Sequence, residues 1–177
     1  MGLNVKISDT NVRIGPVRFS YVNVFRKNPQ SDKYSVAVLI PKTEHEAIET
    51  LKSAIENAKT LGKTKCFGGK VPANLKTPLH DGDVEKDDEA YKGCYYFNAT
   101  NTNRPGVRVK TDDGAIVEAL DDEDFYSGCY GAITVNLFPY AKNGNSGVSA
   151  SLQNVIKLND GEKLSGGRSA DLDFADL

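Results

Sequence analysis

The chain has 177 residues, of which 39% are apolar and 26% charged, a composition typical of a globular protein with room for one buried core. No run of eighteen apolar residues is present, which excludes a transmembrane helix, and no basic-then-apolar leader is seen. The net charge of −2 argues at first against a surface that binds nucleic acid.

The negative charge is concentrated in three short acidic segments. Residues 81–89 carry −5, residues 121–124 carry −4 and the last nine residues carry −3. Without these segments the rest of the chain carries +10. The distribution of charge therefore leaves room for a basic surface, although the total is negative.

The first predicted elements are two β-strands. Apolar residues alternate over residues 12–25, and Gly15-Pro16 interrupts the pattern, which predicts a bulge or a bend. A polar turn over residues 26–33 then leads to a strand from Tyr34 to Ile40 that is rich in Val, Leu and Ile.

One amphipathic α-helix is predicted over residues 43–61. Thr43 and Glu46 have the spacing of a capping box, and Gly62 is placed to end the helix. The helix should bury one apolar stripe, which has helical spacing. The stripe consists of Ala47, Ile48, Leu51, Ala54, Ile55, Ala58 and Leu61.

A long loop over residues 64–92 is followed by a second group of strands. In the fourth of them Ile133, Val135 and Leu137 supply a core face, and the turn over residues 142–147 predicts a hairpin with the fifth. The five strands are predicted over residues 94–99, 106–110, 115–120, 130–140 and 148–158.

Many short strands, one helix and long loops favour a mainly β fold, either a small barrel, closed or partly closed, or a sandwich. Residues 1–164 are predicted to form one domain. Residues 165–177 alternate acids with apolar residues and are too short and too charged to bury themselves, which predicts a flexible acidic tail.

Little in the sequence points to catalysis. It has no phosphate-binding loop, no nucleophile elbow and no zinc-binding helix motif. Cys66, Cys94 and Cys129 are far apart, and neither His45 nor His80 has a neighbour at the spacing of a metal ligand. We therefore predict no enzymatic activity, no metal and no cofactor, and we expect the cysteines to be small buried thiols.

Aromatic residues beside basic ones are typical of proteins that bind single strands, because phosphates attract cations and unpaired bases stack on flat side chains. The strand over residues 130–140 is the most informative, because Phe138 and Tyr140 lie on the face opposite its core residues. The candidate DNA-binding residues are Tyr21, Phe25, Lys27, Lys33, Tyr34, Phe67, Lys70, Tyr95, Phe97, Arg104, Arg108, Phe138, Tyr140 and Lys142.

Several short segments, taken in order, carry a family resemblance. They lie at residues 15–21 (Gly-Pro-Val-Arg-Phe-Ser-Tyr), 33–36 with the following helix, 96–99 with Arg104-Pro105, 126–130, 147–150 and 152–155. In this order they resemble the phage single-stranded DNA-binding proteins, a family long catalogued as a domain of unknown function. The resemblance implies an OB-fold with insertions, one that binds single strands without sequence preference in the cytoplasm of the infected bacterium, during phage replication or recombination.

The C-terminal segment also resembles that of bacterial and phage single-strand binders, which often end in a flexible acidic segment with a hydrophobic residue at or near the end. The resemblance implies that the tail occupies the basic groove when DNA is absent and docks on replication or recombination proteins. The residues that would do so are Asp171, Asp173, Phe174, Asp176 and Leu177.

Two other functions stay open at this point. The net negative charge and the acidic segments favour a β-core module that binds other proteins. A metal-dependent nuclease would use Asp81, Asp83 and Asp87 or the cluster at 121–124. The sequence makes no prediction of an oligomeric state.

Overall fold

Period-two alternation of apolar residues lets five strands of this chain each bury one face, and in the computed structural model they curl into a closed barrel. The structure describes residues 2–164, 174, 176 and 177. Its strands are β1 (Val5–Lys6), β2 (Asn11–Asn28), β3 (Lys33–Pro41), β4 (His80–Asp81), β5 (Cys94–Asn101), β6 (Gly106–Lys110), β7 (Ile116–Glu118), β8 (Tyr130–Lys142) and β9 (Asn145–Asn159). Its helices are α1 (His45–Lys65), α2 (Gly82–Glu85) and a 3-10 turn (Glu89–Tyr91).

The barrel consists of β5, β3, β2, β8 and β9 in that spatial order. Neighbouring strands pair antiparallel, except that β5 and β9 close the barrel in parallel, with Ala99 opposite Ala150. A five-stranded barrel of this kind is the architecture of the OB-fold, which confirms the predicted fold class. Strands β6 and β7 extend the sheet beyond β9, and among the described residues no helix is long and apolar enough to cross a membrane.

The core fills the barrel and continues under α1. Val12 lies opposite Val135 and Ile14 opposite Ile133, and these four side chains are at most 2% exposed. The apolar stripe of α1 packs into the same core, where Leu51 is fully buried. The predicted stripe is thus confirmed apart from Leu61, which is exposed because it lies at the edge of the buried face.

The predicted interruption at Gly15-Pro16 is a real irregularity in the ladder between β2 and β8. The pairing shifts between Ile14 opposite Ile133 and Val17 opposite Gly131. Gly131 lies so close to β9 that an added Cβ would come within 1.8 Å of the Ile156 carbonyl oxygen. Only glycine lets the two strands approach this closely.

Gly131→Ala should lower the free energy of unfolding by about 1–3 kcal/mol, because the new methyl group forces β8 and β9 apart. Urea unfolding measures the change, provided that the dependence of the unfolding free energy on urea concentration is the same as in the wild type. Gly2→Ala is the control, since its Cβ would meet nothing closer than 3.7 Å. Equal stability of the two variants would contradict the proposed close approach.

Helix α1 begins and ends later than predicted. Glu44, not Thr43, is the capping residue, and it makes no side-chain capping bond, so the predicted capping box is wrong. The backbone explains this, because Glu44 N–H donates to the Pro41 carbonyl and holds Thr43 inside a turn. Gly62 does not end the helix but is buried in it, where an added Cβ would lie 2.3 Å from the Phe67 ring.

The predicted hairpin between β8 and β9 is confirmed. Asn143 and Gly144 both have positive φ, at 53° and 79°, as a type I′ turn requires. The segment predicted as one long loop before β5 instead contains β4, α2 and the 3-10 turn.

Candidate nucleic-acid interface

The five barrel strands contain no carboxylate, and all of them lie within the described part of the chain. The acidic residues of the described part lie instead in the loops, the helices and the short strands outside the barrel. Since these strands of the barrel carry no negative side chain that would repel a polyanion, phosphates can approach the barrel wall. The strands carry seven cations: Arg13, Arg18, Arg26, Lys27, Lys33, Lys142 and Lys157.

A second segment without carboxylates runs from residue 57 to residue 80. It begins in the last turns of α1 and then runs beside the hairpin of β8 and β9. Lys76 N–H donates to the Ser146 carbonyl at 3.0 Å, and Val148 N–H donates to the Lys76 carbonyl at 2.9 Å. These bonds fix the segment beside the hairpin. Its five lysines are Lys59, Lys63, Lys65, Lys70 and Lys76.

A groove of ≈ 460 Å³, called the groove from here on, lies between this segment and the hairpin. Of the described residues that line it, none is a carboxylate. They are Lys76, Thr77, Pro78, Leu79, His80, Asn98, Tyr140, Val148 and Ser149.

Small polar side chains form the floor of the groove and the wall beside it. Since Ala99 and Ala150 face the core, the alternating neighbours face outward, and Thr100 lies opposite Ser151. Asn98 and Ser149 occupy the next outward positions along these strands and line the groove itself. Such a surface lets a flat base approach without displacing a bulky side chain.

Two aromatic rings flank this floor. Phe138 pairs with Ser149 and is 39% exposed. The Tyr140 ring lies against Gly147, where an added Cβ would be 2.6 Å from the Tyr140 hydroxyl oxygen and 2.7 Å from the Lys76 carbonyl oxygen. A side chain at position 147 would therefore displace either the ring or the lysine segment.

The outer face of β3 and β5 is covered further along by residues 82–93. Tyr91 is buried against Leu39 and Tyr96, and the centroids of the two tyrosine rings are 5.1 Å apart. Burial raises the pKa of Tyr91 to about 12. This part of the outer face is closed by the protein itself, which leaves the groove as the open part.

Lys42 forms ion pairs at the start of the covering segment, residues 82–93. Its Nζ lies 2.8 Å from a carboxylate oxygen of Asp81 and 2.8 Å from one of Asp83. Asp83 also accepts a hydrogen bond from Gly93 N–H at 2.9 Å. The two carboxylates raise the pKa of Lys42 above its usual range, and the bond from Lys42 lowers the pKa of Asp83.

Part of the predicted set lies at the groove. Tyr140 lines it, Phe138 and Lys142 lie on the same hairpin, and Lys142 is exposed. Phe67 and Lys70 belong to the neighbouring lysine segment, where Phe67 is half-buried against Gly62 and Lys70 is exposed.

A second part of the predicted set lies at the end of β2, at the start of β3, on β6 and in the loop before β6. Tyr34 pairs with Asn101, and Phe25 and Tyr34 are half-buried against the core. The exposed cations of this group are Lys27, Lys33, Arg104 and Arg108. This group does not line the groove.

Three aromatics fall outside both groups. Phe97 is fully buried in the core, so its ring offers no face to a base and its prediction is corrected. Tyr21 is 63% exposed with a positive φ of 46°. Tyr95 lies beyond His80 in a separate hollow.

The tail residues Asp171 and Asp173 lie outside the described residues, as does most of the predicted tail. Phe174, Asp176 and Leu177 are described and exposed.

The acidic clusters have partners other than a metal. Asp122 forms an ion pair with Arg26 at 3.0 Å, and Asp124 accepts a hydrogen bond from Leu120 N–H. Within the described ranges no three His, Cys, Asp or Glu side chains are grouped as metal ligands. Of the cysteines only Cys129 is fully buried, and its burial raises the pKa of its thiol to about 11.

Four residues of the groove were not predicted from the sequence: Lys76, His80, Asn98 and Ser149. The absence of carboxylates from residues 57–80 was a signal that could have pointed to Lys76. Asn98 and Ser149 could be found only once the pairing of β5 with β9 was known.

Comparison with known proteins gives consistent matches. A family model described as the ssDNA-binding protein of Enterobacter phage Enc34 matches residues 10–177. "Putative protein p50" of Acyrthosiphon pisum secondary endosymbiont phage 1 is 32% identical over 178 residues, which cover 94% of this chain and 93% of that protein.

Solved structures of phage proteins share the fold. The single-stranded DNA-binding protein from bacteriophage Enc34 in complex with ssDNA matches with a TM-score of 0.78 at 24% identity, covering 93% of this chain and 95% of that chain. The single-stranded DNA-binding protein gp2.5 of bacteriophage T7 matches with a TM-score of 0.57 at 15% identity, covering 94% and 95%.

Proposed function

This chain belongs to the family of the ssDNA-binding protein of Enterobacter phage Enc34, and from that premise we propose that it binds single-stranded DNA along the groove. It is a binding protein and not an enzyme. It coats strands that become exposed during phage replication or recombination, in the cytoplasm of the infected bacterium. Family membership favours this function over the protein-interaction module and the nuclease.

One observation carries the choice of the groove: it joins a carboxylate-free lining to an aromatic ring and a lysine. Lys76 supplies a charge for the phosphates, Tyr140 a surface for a base, and Asn98 and Ser149 a polar floor. Stacking and phosphate contacts need no particular base, so binding is tolerant of sequence. Lys142 lies on the same hairpin as Tyr140 and Lys70 in the same segment as Lys76, so both add to the basic surface, and the exposed cations of the second group can hold a longer strand.

The test is fluorescence anisotropy of a labelled oligo-dT at several salt concentrations, with duplex DNA as competitor. If about three to five phosphates are neutralised, log K should fall against log[salt] with a slope of about −2 to −3.5. Duplex should compete poorly, because its bases are already stacked and paired. Absence of binding at low salt would overturn the proposal.

We also propose that residues 165–177 compete with DNA for the basic surface. The last nine residues carry −3, and the segment is tethered directly to the barrel. A short flexible linker gives an effective concentration of about 1 mM, so a weakly bound tail masks only part of the groove.

Ending the chain at Leu164 should strengthen oligo-dT binding about 2- to 10-fold at low salt, with the gain shrinking as salt screens the tail. The matched control keeps the length and replaces Asp171, Asp173 and Asp176 with Asn, and it should match the truncation. Unchanged affinity in both proteins would contradict the masking.

A further inference from the structure

A second hollow of ≈ 440 Å³ lies on the other side of residues 77–81, between them and α1. Thr77, Leu79 and His80 line both the groove and this hollow, so they form a shared wall. The other lining residues of the hollow are Lys52, Ile55, Glu56, Lys59, Asp81 and Tyr95.

The hollow has the chemistry of a site for a flat apolar group. Tyr95 is half-buried and packs beside Leu79 against the core. The buried Ile55 of α1 also lines the hollow. The volume is within the range of about 300–1,000 Å³ that is usual for sites binding small molecules. Aromatic and aliphatic walls of this kind suit a nucleobase better than a phosphate.

Two lysines lie near the Tyr95 ring, and they differ in whether a carboxylate pairs with them. Lys42 lies 5.1 Å from the ring centroid and is fixed by Asp81 and Asp83. Lys52 lies 5.8 Å from the same centroid and has no carboxylate within ion-pair distance among the described residues. It is therefore free to leave the ring for another anion.

The remaining charges of the hollow are already neutralised. Glu56 binds Lys59 at 2.9 Å, and Asp81 is bound to Lys42. A phosphate that enters beside Lys52 thus meets paired carboxylates on the rim, and Lys52 is the cation available to it.

We propose that this hollow is a separate nucleotide subsite, in which a base stacks on Tyr95 and its phosphate binds Lys52. The inference rests on the proposed function, because the same DNA strand would leave the groove over His80 and place its next part in the hollow. The shared wall of residues 77–80 then separates two consecutive stretches of the bound strand.

The test uses the full chain and a series of labelled oligo-dT lengths over about 4 to 16 nucleotides, the range of OB-fold site sizes. Tyr95→Leu and Lys52→Gln should leave binding of the shortest oligomers unchanged. They should weaken binding of the longer ones at least fivefold. Tyr95→Phe keeps the ring and should behave as the wild type at every length.

Lys92→Gln is the matched control, since Lys92 is exposed, is paired with Glu89 and lines neither the hollow nor the groove. It should have less than half the effect of Lys52→Gln. Thermal unfolding of each variant verifies that the fold is retained.

The outcomes separate the two proposals. If Tyr95→Leu and Lys52→Gln bind like the wild type at every length, or lose affinity equally at all lengths, the separate subsite is overturned and the groove stands. If the wild-type protein binds no oligomer, the proposed function itself fails.

Discussion

Tyr140→Leu should weaken oligo-dT binding about 5- to 140-fold, which corresponds to the loss of about 1–3 kcal/mol for one stacked base. Leucine still covers Gly147 and keeps an apolar side chain at the groove, so the change removes the flat ring and little else. The ring is positioned by the β8–β9 pairing of Tyr140 with Gly147, and it lines the groove together with Asn98. Anisotropy titration at fixed salt measures the loss.

Tyr140→Phe is the control for this experiment. It keeps the aromatic surface and removes only the hydroxyl, so its affinity should stay within about twofold of the wild type if stacking is the main contribution. A leucine variant that binds as tightly as the phenylalanine variant would show that bases do not stack at this position. Urea unfolding of both variants separates an effect on the interface from an effect on the hairpin.

The double substitution Lys76→Gln with Lys142→Gln should weaken binding by about 25-fold at 0.1 M salt, because each phosphate contact on a single strand contributes a slope of about 0.7 in log[salt]. The slope itself should become shallower by about 1.4. Lys76 lies at the groove, and its Nζ donates a hydrogen bond to the neutral side-chain oxygen of Asn145 at 3.2 Å. Glutamine preserves that polar contact and removes the charge.

A charge-matched control distinguishes local phosphate contacts from the total charge of the protein. Lys6 and Lys92 are exposed, and each is paired with a nearby carboxylate, Asp9 and Glu89 respectively. Lys6→Gln with Lys92→Gln changes the net charge by the same amount away from the groove, and the salt slope should stay near that of the wild type. If both double variants shift the slope equally, the lysines of the groove have no special role.

Local sequence patterns were enough to predict much of the barrel. The alternation of Ile133, Val135 and Leu137 defined the inner face of β8, and Asn143-Gly144 predicted its turn, because the pleat and the turn depend on a few adjacent residues. The helical stripe of α1 was predictable for the same reason. Tyr140 was selected because it lies on the other face of a strand whose core face was already known.

Local sequence patterns do not show which distant strands pair with each other. Nothing near Ala99 indicates that it meets Ala150, so the polar floor of the groove could not be anticipated. Alternation also failed in β5, where Tyr96 and Phe97 are both buried because residues 82–93 cover the outer face. Phe97 was therefore assigned to the surface although it belongs to the core.

The pairing of β2 with β8 has a consequence for how the chain is made. Val12 of β2 pairs with Val135 of β8, so β2 can pair with β8 only after more than 120 further residues have been synthesised. At synthesis rates of about 5–20 residues per second, that delay is about 6–25 s. During it, the apolar face of β2 is exposed, and contacts of such high sequence separation form slowly. Completion of the barrel is thus a late event, because its last strand, β9, ends at Asn159 of a chain of 177 residues.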